Sequence, residues 1–70
     1  MNRVPVRSST IAAVGYDPAS CTLEVEFTNG RTYQYFDVAE HVHETILDGS
    51  VSVGRYFNEN VRGVYRYARV

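Results

Sequence analysis

LEVEFTNGRTYQY, residues 23–35, reads as two strands folded back on each other. Leu23, Val25 and Phe27 alternate with Glu24, Glu26 and Thr28, and a period of two marks a strand with one buried face. Asn29-Gly30 supplies residues that tolerate positive φ, which a tight reversal needs. Thr32 to Phe36 is the returning strand, rich in aromatic residues. The loop length decides where its tyrosines point. With a two-residue loop at Asn29-Gly30, Val25 faces Gln34, and Tyr33 and Tyr35 join the glutamates in solvent. With a three-residue loop, Thr28-Asn29-Gly30, Gly30 takes a left-handed bulge position. Val25 then faces Tyr33, and Leu23 faces Tyr35. The second arrangement is favoured because it gathers the large apolar groups on one face. The chain also needs their bulk. It has two Leu, two Ile, three Phe, one Met and no Trp, so its six tyrosines are a large share of any core.

Outward from the hairpin, Ser9 to Tyr16 is β-branched enough to form a preceding strand. Asp17-Pro18-Ala19-Ser20 suits a type I turn, so that strand pairs antiparallel with residues 23–28. Ala12 and Ala13 are small enough for a helix to approach. Asp37 followed by Glu40 has the pattern of a capping box. Val38, Val42 and Ile46 then share a face, and Gly49 is a natural stop, which predicts a helix over residues 38–48. Ser52 caps a second helix over residues 53–61, with Val53, Phe57 and Val61 inward and Arg55, Asn58, Glu59 and Arg62 outward. Gly63 ends it. The tail, residues 64–70, alternates as an edge strand or an extended arm, and Met1 to Val6 is a loose lead-in limited by Pro5. The expected architecture is α+β: one domain over residues 7–70, a three-stranded antiparallel meander with two helices on one face.

Seventy residues make one domain. Cys21, the single cysteine, excludes an intramolecular disulfide and reads as a small semi-buried residue at a strand start. With no apolar run of membrane length and no signal-peptide pattern, the cytoplasm is the expected location and no membrane partner is expected. The net charge of −1 hides an asymmetry. Arg3 and Arg7 stand alone at the start. The middle, residues 16–48, holds seven acids against Arg31. Arg55, Arg62, Arg66 and Arg69 face only Glu59 at the end. Every basic side chain is arginine, which forks onto phosphate and stacks on flat rings. A solvated charged face is the plainer explanation.

In this order and spacing, several motifs together resemble a known family. They are Ser8-Ser9-Thr10, Val14-Gly15-Tyr16-Asp17, LEVEF, Gly30, Tyr33-x-Tyr35, Gly54-x-Tyr56-Phe57-Asn58 and Arg62. The chain is similar, over about residues 7–69, to the KTSC domain, named for the C-terminal extension of some lysyl-tRNA synthetases and found also as short free-standing bacterial proteins. The resemblance implies structural roles for Gly30, Tyr33 and Tyr35, and it suggests RNA as a ligand through the company the domain keeps.

No catalytic, metal-binding or cofactor-binding set is read from the residues. His41 and His43, two apart on a helix, face different ways and lack the spacing of a zinc helix. Glu24 and Glu26 share a strand face but have no perturbing surroundings. The one functional pattern is Arg55, Tyr56, Asn58, Arg62, Tyr65, Arg66, Tyr67 and Arg69, where arginine interleaves with tyrosine as in surfaces that hold phosphates and stack unpaired bases. The competing reading puts Tyr56 and Tyr65 at the core's edge and pairs the arginines with neighbouring acids. The expected function is a non-enzymatic binding module for RNA, with a protein partner held at a sheet edge or the tail as the alternative.

Overall fold

The hairpin closes in the three-residue form. In the computed structural model, which describes residues 2–70, the register pairs Leu23 with Tyr35 and Val25 with Tyr33. The Phe27 N–H donates to the Arg31 carbonyl at 2.8 Å and the Gly30 N–H to the Phe27 carbonyl at 3.0 Å. Gly30 stands at φ +91°. Asn29 Oδ1 accepts the Arg31 N–H at 3.0 Å and stiffens the loop. The elements are β1 (Val4–Pro5), β2 (Ile11–Asp17), β3 (Thr22–Phe27), β4 (Thr32–Tyr35), α1 (Glu40–Asp48), α2 (Val53–Asn60) and β5 (Tyr67–Arg69).

The sheet has five strands in sequence order, all antiparallel, rather than three. Two short strands complete the meander at its edges. At one edge Val4 pairs with Val14 and Pro5 with Ala13, inside the stretch expected to be a loose lead-in. Proline fits an edge strand because no ladder needs its missing N–H. Arg3 ties this edge down by reaching Glu24 at 3.4 Å and Glu26 at 3.6 Å. Gly15, which pairs with Glu24, offers no side chain to obstruct that reach. At the other edge the tail pairs Tyr67 with Tyr35 and Arg69 with Tyr33, which makes it an edge strand and not a free arm. Ala13 pairs with Glu26 and so lies on the glutamate face, away from the helices.

The α1 helix begins at Glu40, two residues later than the capping pattern predicts. Asp37 is not its cap: it sits at φ +58°, exposed and paired with Arg66 at 3.1 Å. The cause is Val38. Its N–H donates to the Cys21 carbonyl at 2.9 Å, and its carbonyl accepts the Tyr16 hydroxyl at 2.6 Å. Both backbone groups are committed to the end of the β2–β3 hairpin, so residue 38 cannot open a helix. Cys21 is also corrected: it is exposed, at φ +55°, in the turn before β3. Gly49 ends α1 at φ +77°, as expected. Along α2 the inward set Val53, Phe57 and Val61 is buried and the outward set is exposed, although the Ser52 hydroxyl caps no N–H.

The core joins Leu23, Val25 and Tyr35 of the sheet to Val42 and Ile46 of α1 and Phe57 of α2. The α1 helix packs against β2 and against α2. Over β4 and β5 the helix-side face is more open. Tyr35 is buried there, Tyr33 is half-buried, and Tyr67 is 61 % exposed. Among the described residues, no helix is long and apolar enough to cross a membrane.

Candidate nucleic-acid interface

Strand parity builds the candidate site. Tyr33 and Tyr35 are two apart on β4, and their cross-strand partners Arg69 and Tyr67 share their face. That face also carries Phe27 of β3 and meets Phe57 of α2. The result is a continuous set of five rings. Phe57 meets Phe27 edge-on at 5.6 Å and Tyr35 edge-on at 5.3 Å. Tyr33 meets Phe27 edge-on at 5.7 Å. Tyr67 leans on Tyr33 at 5.7 Å and on Tyr35 at 5.6 Å. These separations suit the favoured offset and edge-to-face geometries.

A groove of about 580 Å³ runs over these rings, bounded by the hairpin loop and the end of α2. The loop brings Thr28, Asn29 and Arg31, and the helix end brings Asn58, Arg62 and Gly63. No carboxylate is among the described lining residues. Neither Arg31 nor Arg62 forms an ion pair among the described residues. The groove therefore carries two available guanidinium groups beside flat apolar surface, in a chain whose net charge is −1. Burial raises the pKa of the Tyr35 hydroxyl, and the nearby Arg62 charge opposes that shift. At neutral pH Tyr35 is a protonated donor.

The residues singled out from the sequence divide among three places. Asn58, Arg62 and Tyr67 line the groove together with Tyr33 and Tyr35. Gly30 shapes the loop that supplies Asn29 and Arg31, and Arg69 stands beside Tyr33 in the register. Tyr56 and Tyr65 are half-buried and pack against the core. Arg66 pairs with Asp37 and lies 6.0 Å from the Phe36 ring centre, and Arg55 pairs with Glu59 at 3.3 Å on α2. Phe27, Arg31, Phe57 and Thr10 were not singled out as site residues. Arg31 carried a legible signal: the three-residue loop places it beside the aromatic face. Thr10 stood only within the Ser8-Ser9-Thr10 motif of the resemblance, because the approach of its loop to α2 is purely tertiary.

A second feature joins β2 to α1. His43 stacks on Tyr16 at 5.3 Å with the rings 16° apart. The buried His43 Nε2 has no hydrogen-bond partner. Burial lowers the pKa of His43 against the pull of Glu40 and Glu44. The Tyr16 hydroxyl is pushed up to about 12, chiefly by burial and then by its contact with Cys21. This pair is a packing element: no group of three or more His, Cys, Asp and Glu side chains among the described residues is placed to hold a metal.

Comparison with known proteins sets the chain in a family. The family model of the KTSC domain matches residues 7–70. An uncharacterized protein of Stutzerimonas stutzeri is 41 % identical over 71 residues, spanning all of this chain and 99 % of that one. A lysine–tRNA ligase of Nostoc sp. is 39 % identical over 62 residues, which is 89 % of this chain but 11 % of the ligase. Among solved structures, the crystal structure of a KTSC domain protein from Yersinia pestis superposes with a TM-score of 0.89 at 38 % identity, covering 99 % of this chain and 96 % of that one. The chain belongs to the KTSC domain family.

Proposed function

We propose that this chain is a small non-enzymatic binding module whose groove takes single-stranded RNA. The observation that carries the reading is the coincidence of the exposed Tyr67 ring and the half-buried Phe27 and Tyr33 rings, backed by buried Tyr35 and Phe57, with two available arginines and no lining carboxylate. Unpaired bases stack on such rings, and guanidinium groups track the phosphates between them. Tyr67, the most open ring, is the stacking platform. Arg31 and Arg62 are the phosphate contacts, and Asn29 and Asn58 offer amides to base edges. The relative described as a lysine–tRNA ligase, in which the matching stretch is a small part, supports RNA as the ligand class. The alternative, a protein partner, is favoured by one observation: all three β5 residues are exposed on the last strand of the sheet.

The test is titration of a fluorescent single-stranded RNA at low salt. Affinity should fall steeply as salt rises, because phosphate contacts release counterions. Duplex RNA should bind more weakly, since its bases offer no free faces. Arg62→Ala should weaken binding and flatten the salt slope. Tyr67→Ala should weaken binding with the slope nearly unchanged. Absence of binding at high micromolar protein overturns the reading and promotes the protein-partner one.

A further inference from the structure

Beside the aromatic groove lies a second recess of about 500 Å³, and the two share Thr10 and Asn58 in their walls. Its chemistry is different. Ser8, Ser9, Thr10 and Ser52 bring four hydroxyls, and Arg7 and Arg55 bring two guanidinium groups. Gly54 of α2 stands close against two of the hydroxyls. A Cβ there would meet Thr10 Oγ1 at 3.2 Å and Ser8 Oγ at 3.4 Å, so a larger residue would push the Thr10 hydroxyl aside by a few tenths of an ångström. Ser8 Oγ is already engaged: it accepts the N–H groups of Thr10 and Ile11 at 3.2 Å each. It braces the loop. Ser9 and Ser52 remain, for the Ser52 hydroxyl caps no N–H of α2. Arg7 is exposed and forms no ion pair among the described residues. The recess has one carboxylate among its described lining residues, Glu59, which Arg55 holds at 3.3 Å.

We propose that this recess is a phosphate subsite adjoining the aromatic groove, so that the unit bound is a nucleotide with its base on the rings and its phosphate held by Arg7, Arg55, Ser9 and Ser52. The inference rests on the RNA reading of the groove and extends it, by assigning a site to the phosphate adjoining the stacked base. Hydroxyls and guanidinium groups from two chain segments are the donors that a tetrahedral oxyanion takes up. An uncharged ligand would gain little from them. Thr10 and Asn58 line both cavities, so the recess adjoins the groove along that wall and a ligand seated on the rings has the recess beside it. Glu59 limits the affinity by competing for Arg55.

The experiment compares adenosine with its 5′- and 3′-monophosphates by calorimetric or NMR titration of the full chain at low salt. The better-bound monophosphate should exceed adenosine by about tenfold or more, the effect of charge-assisted hydrogen bonds. Arg7→Ala combined with Ser9→Ala should remove most of the monophosphate's advantage and leave adenosine unchanged. Both side chains are exposed, and an unchanged melting curve checks that the fold is kept. Glu59→Gln should strengthen monophosphate binding by freeing Arg55. Equal binding of adenosine and both monophosphates to the wild type, or an advantage undiminished in Arg7→Ala/Ser9→Ala, overturns the subsite. Its failure differs from failure of the RNA reading. RNA that binds through Tyr67 with no phosphate advantage leaves the groove and removes the subsite. Inorganic phosphate that shifts the Ser9 and Gly54 amides, with no binding of adenosine or RNA, shows an anion site unconnected to the rings and overturns both the nucleotide subsite and the RNA reading.

Discussion

Phe57 is the side chain on which the small core turns. It is 2 % exposed and touches rings from both β3 and β4. Truncation of a buried Phe to Ala costs about 3–5 kcal/mol, a large share of what a domain of this size holds. Phe57→Ala should therefore lose most of its cooperative thermal transition, and a melting point within a few degrees of the wild type would show that the contact is dispensable. His43 makes a prediction of a different kind. Burial depresses its folded-state pKa, so the unfolded chain takes up the proton first, near an ordinary pKa of about 6.5. The resulting stability is present above that pH and is lost as pH falls toward the folded-state value. The urea midpoint should drop between about pH 7.5 and 5.5, and His43→Phe, which keeps a ring on Tyr16, should flatten that drop. Equal slopes for the two proteins would remove His43 as the cause. Residue by residue, sequence patterns were informative where one neighbour decides the outcome. The inward set Val53, Phe57 and Val61 is one case. They failed at Asp37, whose capping pattern was sound, because the backbone of Val38 is held by Cys21 and Tyr16 from a distant hairpin.

The hairpin between β3 and β4 is the element that sets the site. Its loop length, readable from Asn29-Gly30 and the need for core volume, put Tyr33 and Tyr35 on the helix-side face. Gly30 stands at φ +91°, and a Cβ on it would have nothing within 4 Å, so Gly30→Ala meets no clash and suffers only the backbone penalty. That penalty is about 1–2 kcal/mol for an L-residue in a left-handed conformation. The variant should lower the urea midpoint accordingly, and an unchanged midpoint would mean that the loop relaxes to another form. The edge strands were less legible. β1 has two residues, one of them proline, and its place depends on Arg3 meeting Glu24 and Glu26 two strands away. β5 alternates visibly, but alternation alone does not distinguish a paired strand from an arm. Hydrogen exchange reads this hierarchy: amides of Leu23 and Val25 should be slowest, and those of β5 fastest among the strands with ladder bonds. Comparable protection across the sheet would show that β5 is no weaker than the centre.

At the scale of the molecule the groove's arginines stand apart from the strand glutamates. Glu24 and Glu26 lie on the open side of the sheet with Arg3, whereas Arg31 and Arg62 stand on the opposite side around the rings. An isoelectric point near 6.0 is thus compatible with a locally basic groove, because nucleic acid responds to local potential before net charge. The sequence showed an Arg/Tyr-rich end but not its division. Folding draws Asn58, Arg62 and Tyr67 to the groove, leaves Tyr56 and Tyr65 in packing, and pairs Arg66 with Asp37. Only tertiary contact makes that distinction. The most direct measurement is a two-dimensional ¹H–¹⁵N spectrum of the labelled protein during titration with a short single-stranded RNA. The groove account predicts shifts concentrated at Asn29, Arg31, Tyr33, Asn58, Arg62 and Tyr67, with Glu24 and Glu26 of the open face unmoved. Shifts centred on that open face, or an unchanged spectrum at high micromolar RNA, would contradict it.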